Sequence, residues 1–285
     1  MENETNQQVI IAMPVYNGAK YLGATLDSLL GQTYQNIRLI IADNASTDET
    51  SVICRRYARR DKRVTYIRST KNIGPYANFN ALLKYAKDAE LFMWAAHDDL
   101  RSPNFIQECM TALSKNPIAV MAFSNLVNID SMGREVRGYQ IKRIFPTSHP
   151  ASYIRLYCRD GKANLIYGLW RGDKISTAYM QDHWGSDMNL VFEQLLKGKF
   201  VAVDKKLFYK RLSEQEMAKP LVPKGLLRKV KHRLSLRMSL LRDAQPYFDH
   251  LLDSTGGEQT SRLLALKCRV TVIYVMVRTL LLGKV

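Results

Sequence analysis

The first half of the chain alternates short apolar runs with segments whose apolar residues recur every three or four positions. VIIAM (9–13), IRLIIA (37–42), VTYIR (64–68), LFMWA (91–95) and IAVMAFS (118–124) have the character of strands buried on both faces. Between them Tyr21, Leu22, Thr25, Leu26, Leu29 and Leu30 keep a helical period, as do Val52, Ile53, Arg56 and Tyr57, and then Phe79, Leu82, Leu83 and Ala86 after the turn Asn72-Ile73-Gly74. Alternation of this kind predicts an α/β fold, a Rossmann-like, mostly parallel sheet flanked by helices. Open sheets of that type take ligands beyond the carboxyl ends of their strands. Three polar clusters stand there: Pro14 to Gly18, Asp43 to Asp48, and His97 to Asp99.

From 125 to 205 the pattern is less regular. Within HWGSDMNLVFEQLLKGKF, Met188, Val191, Phe192, Leu195 and Leu196 form an apolar stripe that Gly198 ends, so Asp187 stands at a helix start. Beyond Pro220 and Pro223, the apolar positions Leu227, Val230, Leu234, Met238 and Leu241 sit among basic residues, which predicts a basic amphipathic helix. The last apolar run, Val270 to Leu282, contains Arg278 and is shorter than the about 20 residues a membrane-spanning helix needs. The expected organisation is a catalytic domain over 1–215, with parts at about 8–125 and 126–215, and a helical basic extension over 216–285.

Composition narrows the function classes. Lys and Arg number 42 against 26 Asp and Glu, a net charge of +16, and the segment Met217 to Arg242 holds basic residues and no acid. Such a patch suits a polyanion or an anionic membrane face. Nucleic acid is not expected, because that segment lacks the interleaved aromatics on which bases stack. Four cysteines without a Cys-x-x-Cys pair exclude a zinc site and a small disulfide scaffold. The polar start MENETNQQ has no secretory character, so a cytoplasmic location is expected.

Candidate chemistry follows the polar clusters. Asp43, at the end of a strand, suits a ribose or base edge, or caps a helix in a run rich in capping residues. Asp98 and Asp99 are adjacent carboxylates that repel unless a cation or a donor-rich ligand lies between them; a solvated turn is the other reading. Asp187 is a general base or a helix cap.

VIIAMPVYNGAKYLGATLDSLLGQTYQNIRLIIADNASTDET and NIGPYANFNALLKYAKDAELFMWAAHDDL together resemble the opening and the metal motif of family 2 glycosyltransferases, bacterial inverting enzymes of the GT-A fold. The likeness is weaker but readable through IYGLWR and HWGSDMNLVFEQLLKGKFVAVDKKLFYKR. By this resemblance Pro14, Tyr16, Asp43 and Asn72 hold the nucleotide. Asp98 and Asp99 handle the ribose and a metal-diphosphate with Mg or Mn, Arg211 reaches the diphosphate, and Asp187 is the base. Trp170, Arg171, His183 and Trp184 fall on the acceptor side, where tryptophans either stack on sugar or pack in the core. The implied partners are a nucleotide-sugar donor, with UDP the expected nucleotide, and a glycan or lipid-linked saccharide acceptor, with the basic tail on the inner face of the cell membrane. The chain departs from the pattern at Asn44 and at Ala96, where many relatives have an acid. Those losses keep a non-catalytic nucleotide-sugar-binding module as the alternative. A nucleotidyltransferase is excluded, because MPVYNGAKY is not a glycine-rich basic loop.

Overall fold

The computed structural model describes residues 7–139, 164–182 and 186–218. His183, Trp184 and the tail beyond Ala218 lie outside them. The predicted strands form, with ends shifted by a few residues. β1 (Val9–Val15), α1 (Ala19–Leu30), β2 (Ile37–Asp43), α2 (Thr50–Arg60), β3 (Val64–Arg68), α3 (Pro75–Leu83) and β4 (Leu91–Trp94) follow one another as β-α-β units. They continue into β5 (Leu100–Arg101), α4 (Phe105–Ser114), β6 (Ala119–Ile129), β7 (Glu135–Tyr139) and a 3-10 turn (Asn164–Tyr167). After it come β8 (Leu169–Arg171), α5 (Gly172–Ile175), α6 (Ser186–Lys197), β9 (Lys199–Arg211) and α7 (Glu214–Ala218).

The strands join in one sheet of order β3-β2-β1-β4-β8-β6-β9-β5, with β7 added on β6. The first four strands are parallel, whereas β8, β5 and β7 pair antiparallel with their neighbours. The sheet is therefore parallel in its first half and mixed in its second. β1 lies between β2 and β4, so successive connections leave it in opposite directions and open a crevice at the carboxyl ends of β1, β2 and β4. Register fixes the floor of that crevice: Val15 pairs with Asp43, and Asp43 with Arg68.

Burial explains why these runs became strands. Val9, Ile11, Ala12 and Met13 of β1 have no exposed surface, and neither do Phe92, Met93 and Trp94 of β4. Each large apolar side chain so buried contributes about 1.5–3 kcal/mol. In the second half the core is aromatic: Phe123 packs edge-on against Phe208 with centroids 5.3 Å apart, and Trp170 against Phe200 at 5.5 Å. Gly74, at φ 85, turns the chain into α3, whose first residue is Pro75, a position where a missing N–H costs nothing.

The turn from β8 into α5 touches the end of the α3–β4 connection. The Gly172 N–H donates to Glu90 O at 3.0 Å, and a Cβ built on Gly172 would stand 1.8 Å from Ala89 O. Backbone cannot step aside as a flexible side chain would. Gly172→Ala is expected to lower the unfolding free energy by at least the about 1–3 kcal/mol typical of overpacking, read from urea unfolding midpoints. An unchanged midpoint would show that β8 and β4 separate freely here.

Candidate active site

The loops after β1 and β2 are locked together by side chains. Asp43 is wholly buried; its Oδ1 accepts the Ser46 N–H at 2.8 Å and its Oδ2 accepts the Tyr66 hydroxyl at 2.6 Å, with Arg68 Nε at 3.4 Å. Burial, then this hydrogen bond and the charge of Asp43, push the Tyr66 hydroxyl far above its ordinary pKa, so it stays protonated and donates. Asp43 thus shapes the 44–48 loop from beneath. Asp48 serves two helices, accepting the Ala19 N–H at the start of α1 and the Thr50 N–H at the start of α2. Asn17 and Ala45 hold positive φ, 49° and 60°, a conformation that side chains disfavour and that these surrounding bonds impose.

Asn44 accounts for one departure from the expected acid pattern. Its Nδ2 donates to Asn72 Oδ1 at 2.9 Å and to Gly74 O at 3.1 Å, while its Oδ1 accepts the Ile73 N–H at 2.9 Å. An aspartate cannot donate, so an amide is what ties the 72–74 turn to β2. Asn72 therefore belongs to the frame of the crevice.

The 96–99 loop closes the crevice floor. His97 stacks its ring on Gly18, where an added Cβ would lie 2.5 Å from the imidazole Cδ2, and its carbonyl accepts the Thr25 hydroxyl. Asp98 is half-buried, whereas Asp99 is 4% exposed with Oδ1 accepting the Arg211 N–H at 2.9 Å. Burial, then the charge of Asp98, lifts the Asp99 carboxyl to about 7, against the opposing pull of Arg101. Arg101 is itself buried with its guanidinium 3.8 Å from the Phe208 ring centroid, and its Nε and one Nη have no hydrogen-bond partner among the described residues. Burial lowers it only to about 10, so it remains charged.

Tyr167, on the 3-10 turn, lies within electrostatic reach of three acids. Its hydroxyl is driven far above the ordinary value by burial and then by the negative charges of Asp99, Asp187 and Asp98. Tyr76, at the start of α3, is raised by burial and then by Asp187. Asp187 lies in the first turn of α6, at a helix start as its place in the sequence suggested. The segment leading to α6 is anchored to α3 by a reciprocal amide pair: Asn80 Nδ2 donates to Met180 O at 2.7 Å, and Asn80 Oδ1 accepts the Met180 N–H at 2.8 Å. Tyr66, Tyr76, Asn80 and Tyr167 escaped the sequence reading because each acts on residues distant in the chain.

Three expected site residues stand elsewhere. Trp170 has no exposed surface, packs on Phe200 and donates its indole N–H to Ile166 O, so it offers no face to a sugar. Arg171 pairs with Leu91 at the amino end of β4, the wrong end of the sheet for the crevice. Its guanidinium donates to Leu113 O and Ala119 O, capping the carbonyl end of α4. Arg211 is buried, and its guanidinium donates to Asp98 O, Asp130 O and Ser131 O while stacking on Tyr21 at 4.4 Å. It clamps the acidic loop instead of extending toward a diphosphate. Tyr16 is exposed at the crevice and Pro14 is buried in β1.

The donor set available to a metal is small. Among the described residues no three His, Cys, Asp or Glu side chains gather as a metal cluster. Two adjacent carboxylates, one already holding an N–H, fit a hard cation such as Mg or Mn that completes its shell with phosphate and water.

Two outcomes test this geometry. Asn44→Asp, nearly isosteric, loses two donated bonds and faces two acceptors, and should lower unfolding free energy by about 1–3 kcal/mol. A change within about 0.5 kcal/mol, the range of neutral surface substitutions, would mean the turn is held otherwise. Asp99 binds its proton more tightly folded than unfolded, so its stabilising contribution is complete below about pH 4 and is lost as pH rises through 7. In EDTA, the wild type should therefore lose stability relative to Asp99→Asn between pH 4 and 8, and parallel curves would refute the raised value.

Comparison with known proteins agrees with this geometry. The family model for Glycosyl transferase family 2 matches residues 10–170, more than half of the chain. An uncharacterized glycosyltransferase of Rickettsia typhi is 37% identical over 114 residues, covering 40% of this chain and 34% of that protein, so the chain spans about a third of that relative's length. S. aureus TarS in complex with UDP is similar in structure, with TM-score 0.60 and 16% identity over 83% of this chain and 66% of that one. The mannosyltransferase PcManGT from Pyrobaculum calidifontis, in complex with GDP-Man and Mn2+, has TM-score 0.55 and 15% identity over 98% of this chain and 77% of that one. At such identities the likeness establishes the GT-A fold alone. With residues 10–170 matching the family model and the acids standing at the carboxyl ends of the strands, the chain belongs to glycosyl transferase family 2.

Proposed function

We propose that the protein is an inverting glycosyltransferase that moves a sugar from a nucleotide-sugar donor to a hydroxyl of a glycan or lipid-linked saccharide acceptor in cell-surface polysaccharide synthesis. The observation that carries this reading is the placement of Asp98 and Asp99 just past β4, at the carboxyl ends of the parallel strands, in a chain whose residues 10–170 match the family. The UDP held by TarS favours a UDP-linked donor. Tyr16 presents its ring to the base at the crevice, and Asp43 with Asn44 and Asn72 fixes the loops that receive the nucleotide.

The reaction sets two demands. The acceptor oxygen forms a bond to the anomeric carbon while the bond from that carbon to the diphosphate oxygen breaks, its electron pair leaving with the diphosphate. The acceptor's proton passes to the Asp187 carboxylate as general base. A single displacement from the opposite face inverts the anomeric configuration. A Mg or Mn ion, when bound, offsets negative charge on the departing diphosphate, and Asp98 and Asp99 would hold it, as the Mn2+ in PcManGT suggests. Arg211 keeps those carboxylates in place through Asp98 O and Asp99 Oδ1. The basic tail would hold the enzyme peripherally on the inner face of the cell membrane.

The test is release of nucleoside diphosphate from a panel of sugar nucleotides, with and without Mg or Mn. Asp187→Asn should still bind nucleotide but lose transfer by about 10²–10⁴-fold, the usual worth of a general base. Activity within threefold of wild type would remove Asp187 from that role. Asp98→Asn should abolish whatever metal dependence the wild type shows. Background release for every donor would leave a binding module and end the enzyme reading.

A further inference from the structure

The outward face of α2 has no task in the site. Along it Val52, Arg55, Arg56, Arg59 and Arg60 follow the i, i+3, i+4, i+7, i+8 stripe, all exposed, while Cys54 is buried and Ile53 and Tyr57 pack on the core from the other side. Lys62 extends the stripe beyond the helix end.

Local folding does not require this pattern. Arg55 with Arg59, and Arg56 with Arg60, are like charges four residues apart, which weakens a helix. Helix-end electrostatics accounts for Arg59 and Arg60 in the last turn but not for Arg55 and Arg56. Two acids beside the helix are already engaged: Asp27 accepts the Tyr57 hydroxyl, and Asp61 pairs with Arg63, while exposed Glu49 stands at the amino end, away from Arg59 and Arg60. Among the described residues none of the four arginines makes a salt bridge.

We propose that this face docks on an anionic lipid surface. The charges lie on a convex helix and not in a cleft, so they suit many headgroups on a plane better than one bound phosphate. Exposed Val52 adds an apolar contact, and the stripe has no exposed aromatic on which a base would stack. The helix begins at the crevice, where Thr50 Oγ1 accepts the Gly18 N–H, and at 1.5 Å per residue Arg55 is only about 8 Å further along its axis. Docking would thus bring the strand ends close to the headgroups. That last consequence rests on the proposed transfer to a lipid-linked acceptor; the docking itself does not.

The experiment is co-sedimentation of the full chain with phosphatidylcholine vesicles, with and without phosphatidylglycerol, at low and high ionic strength. Wild type should bind only the anionic vesicles and release them in salt. The quadruple variant Arg55→Gln/Arg56→Gln/Arg59→Gln/Arg60→Gln, tail intact, should lose at least tenfold in vesicle affinity while keeping its unfolding midpoint and its nucleoside diphosphate release. Equal binding by the variant assigns docking to the tail and overturns the proposal, as does absence of wild-type binding. If double-stranded DNA at equal phosphate concentration displaces the protein from vesicles, the face is a general polyanion site and the lipid assignment falls. Diphosphate release is read separately, so loss of docking and loss of catalysis remain distinct.

Discussion

The carboxylate of Asp99 holds the backbone N–H of Arg211, a residue 112 positions later, and the acidic loop depends on that bond. β5 is two residues long, and its ladder with β9, Leu100 with Tyr209 and Arg101 with Phe208, is too short to fix a loop by itself. The side chain extends the ladder by one rung, and the Arg211 guanidinium returns to take the Asp98 carbonyl and the carbonyls of the β6–β7 turn. Burial of Asp99 and Arg101 is costly, since each leaves water. Their opposite charges, on Asp99 just before β5 and Arg101 at its end, offset part of that cost, and removal of either would leave the other uncompensated in the interior.

Rigidity at the crevice is thus obtained from side chains where the backbone has no regular pairing left. Asp48 starts two helices, Asp43 supports its own loop from below, and Asn44 holds a turn almost thirty residues away. The positive φ of Asn17 and Ala45 persists because these bonds over-determine it. If the site receives a diphosphate as proposed, donors and acceptors already in place spare it rearrangement.

The parallel half of the fold was legible because strands buried on both faces are written as unbroken apolar runs, and β3 even matches its predicted limits. β5, β7, β8 and β9 were missed: LR, EVRGY and LWR are two to five residues without a periodic signal, Asp204, Lys205 and Lys206 interrupt the apolar positions of β9, and only partners distant in sequence make them strands. Trp170 and Arg171 show the same limit. A tryptophan beside an arginine reads alike in a sugar-binding wall and in a core, and only the register opposite Leu91 and Phe92 places them at the far end of the sheet. The positions of Asp98, Asp99 and Asp187 were readable from strand and helix ends, but Tyr167, which feels the charge of all three, stood within IYGLWR with no role of its own. Asn44 read as a lost acid; in the fold it is a gained donor.

α3 joins the two halves of the proposed chemistry. Its entry turn is held by Asn44, at the end of the strand that carries Asp43, and Asn78 fastens the helix to Ala42 O on that same strand. Near its end, Asn80 grips Met180 through both amide atoms, and the chain reaches α6 and Asp187 within a few residues. Tyr76, in the first turn, feels the charge of Asp187 directly. One helix of nine residues thus has its amino end set by the loops proposed to receive the nucleotide, and is tied near its end to the segment that leads to the proposed base. α3 is therefore one of the elements that set the separation between the proposed donor loops and the proposed base, which a one-step displacement requires to act on opposite faces of the same carbon.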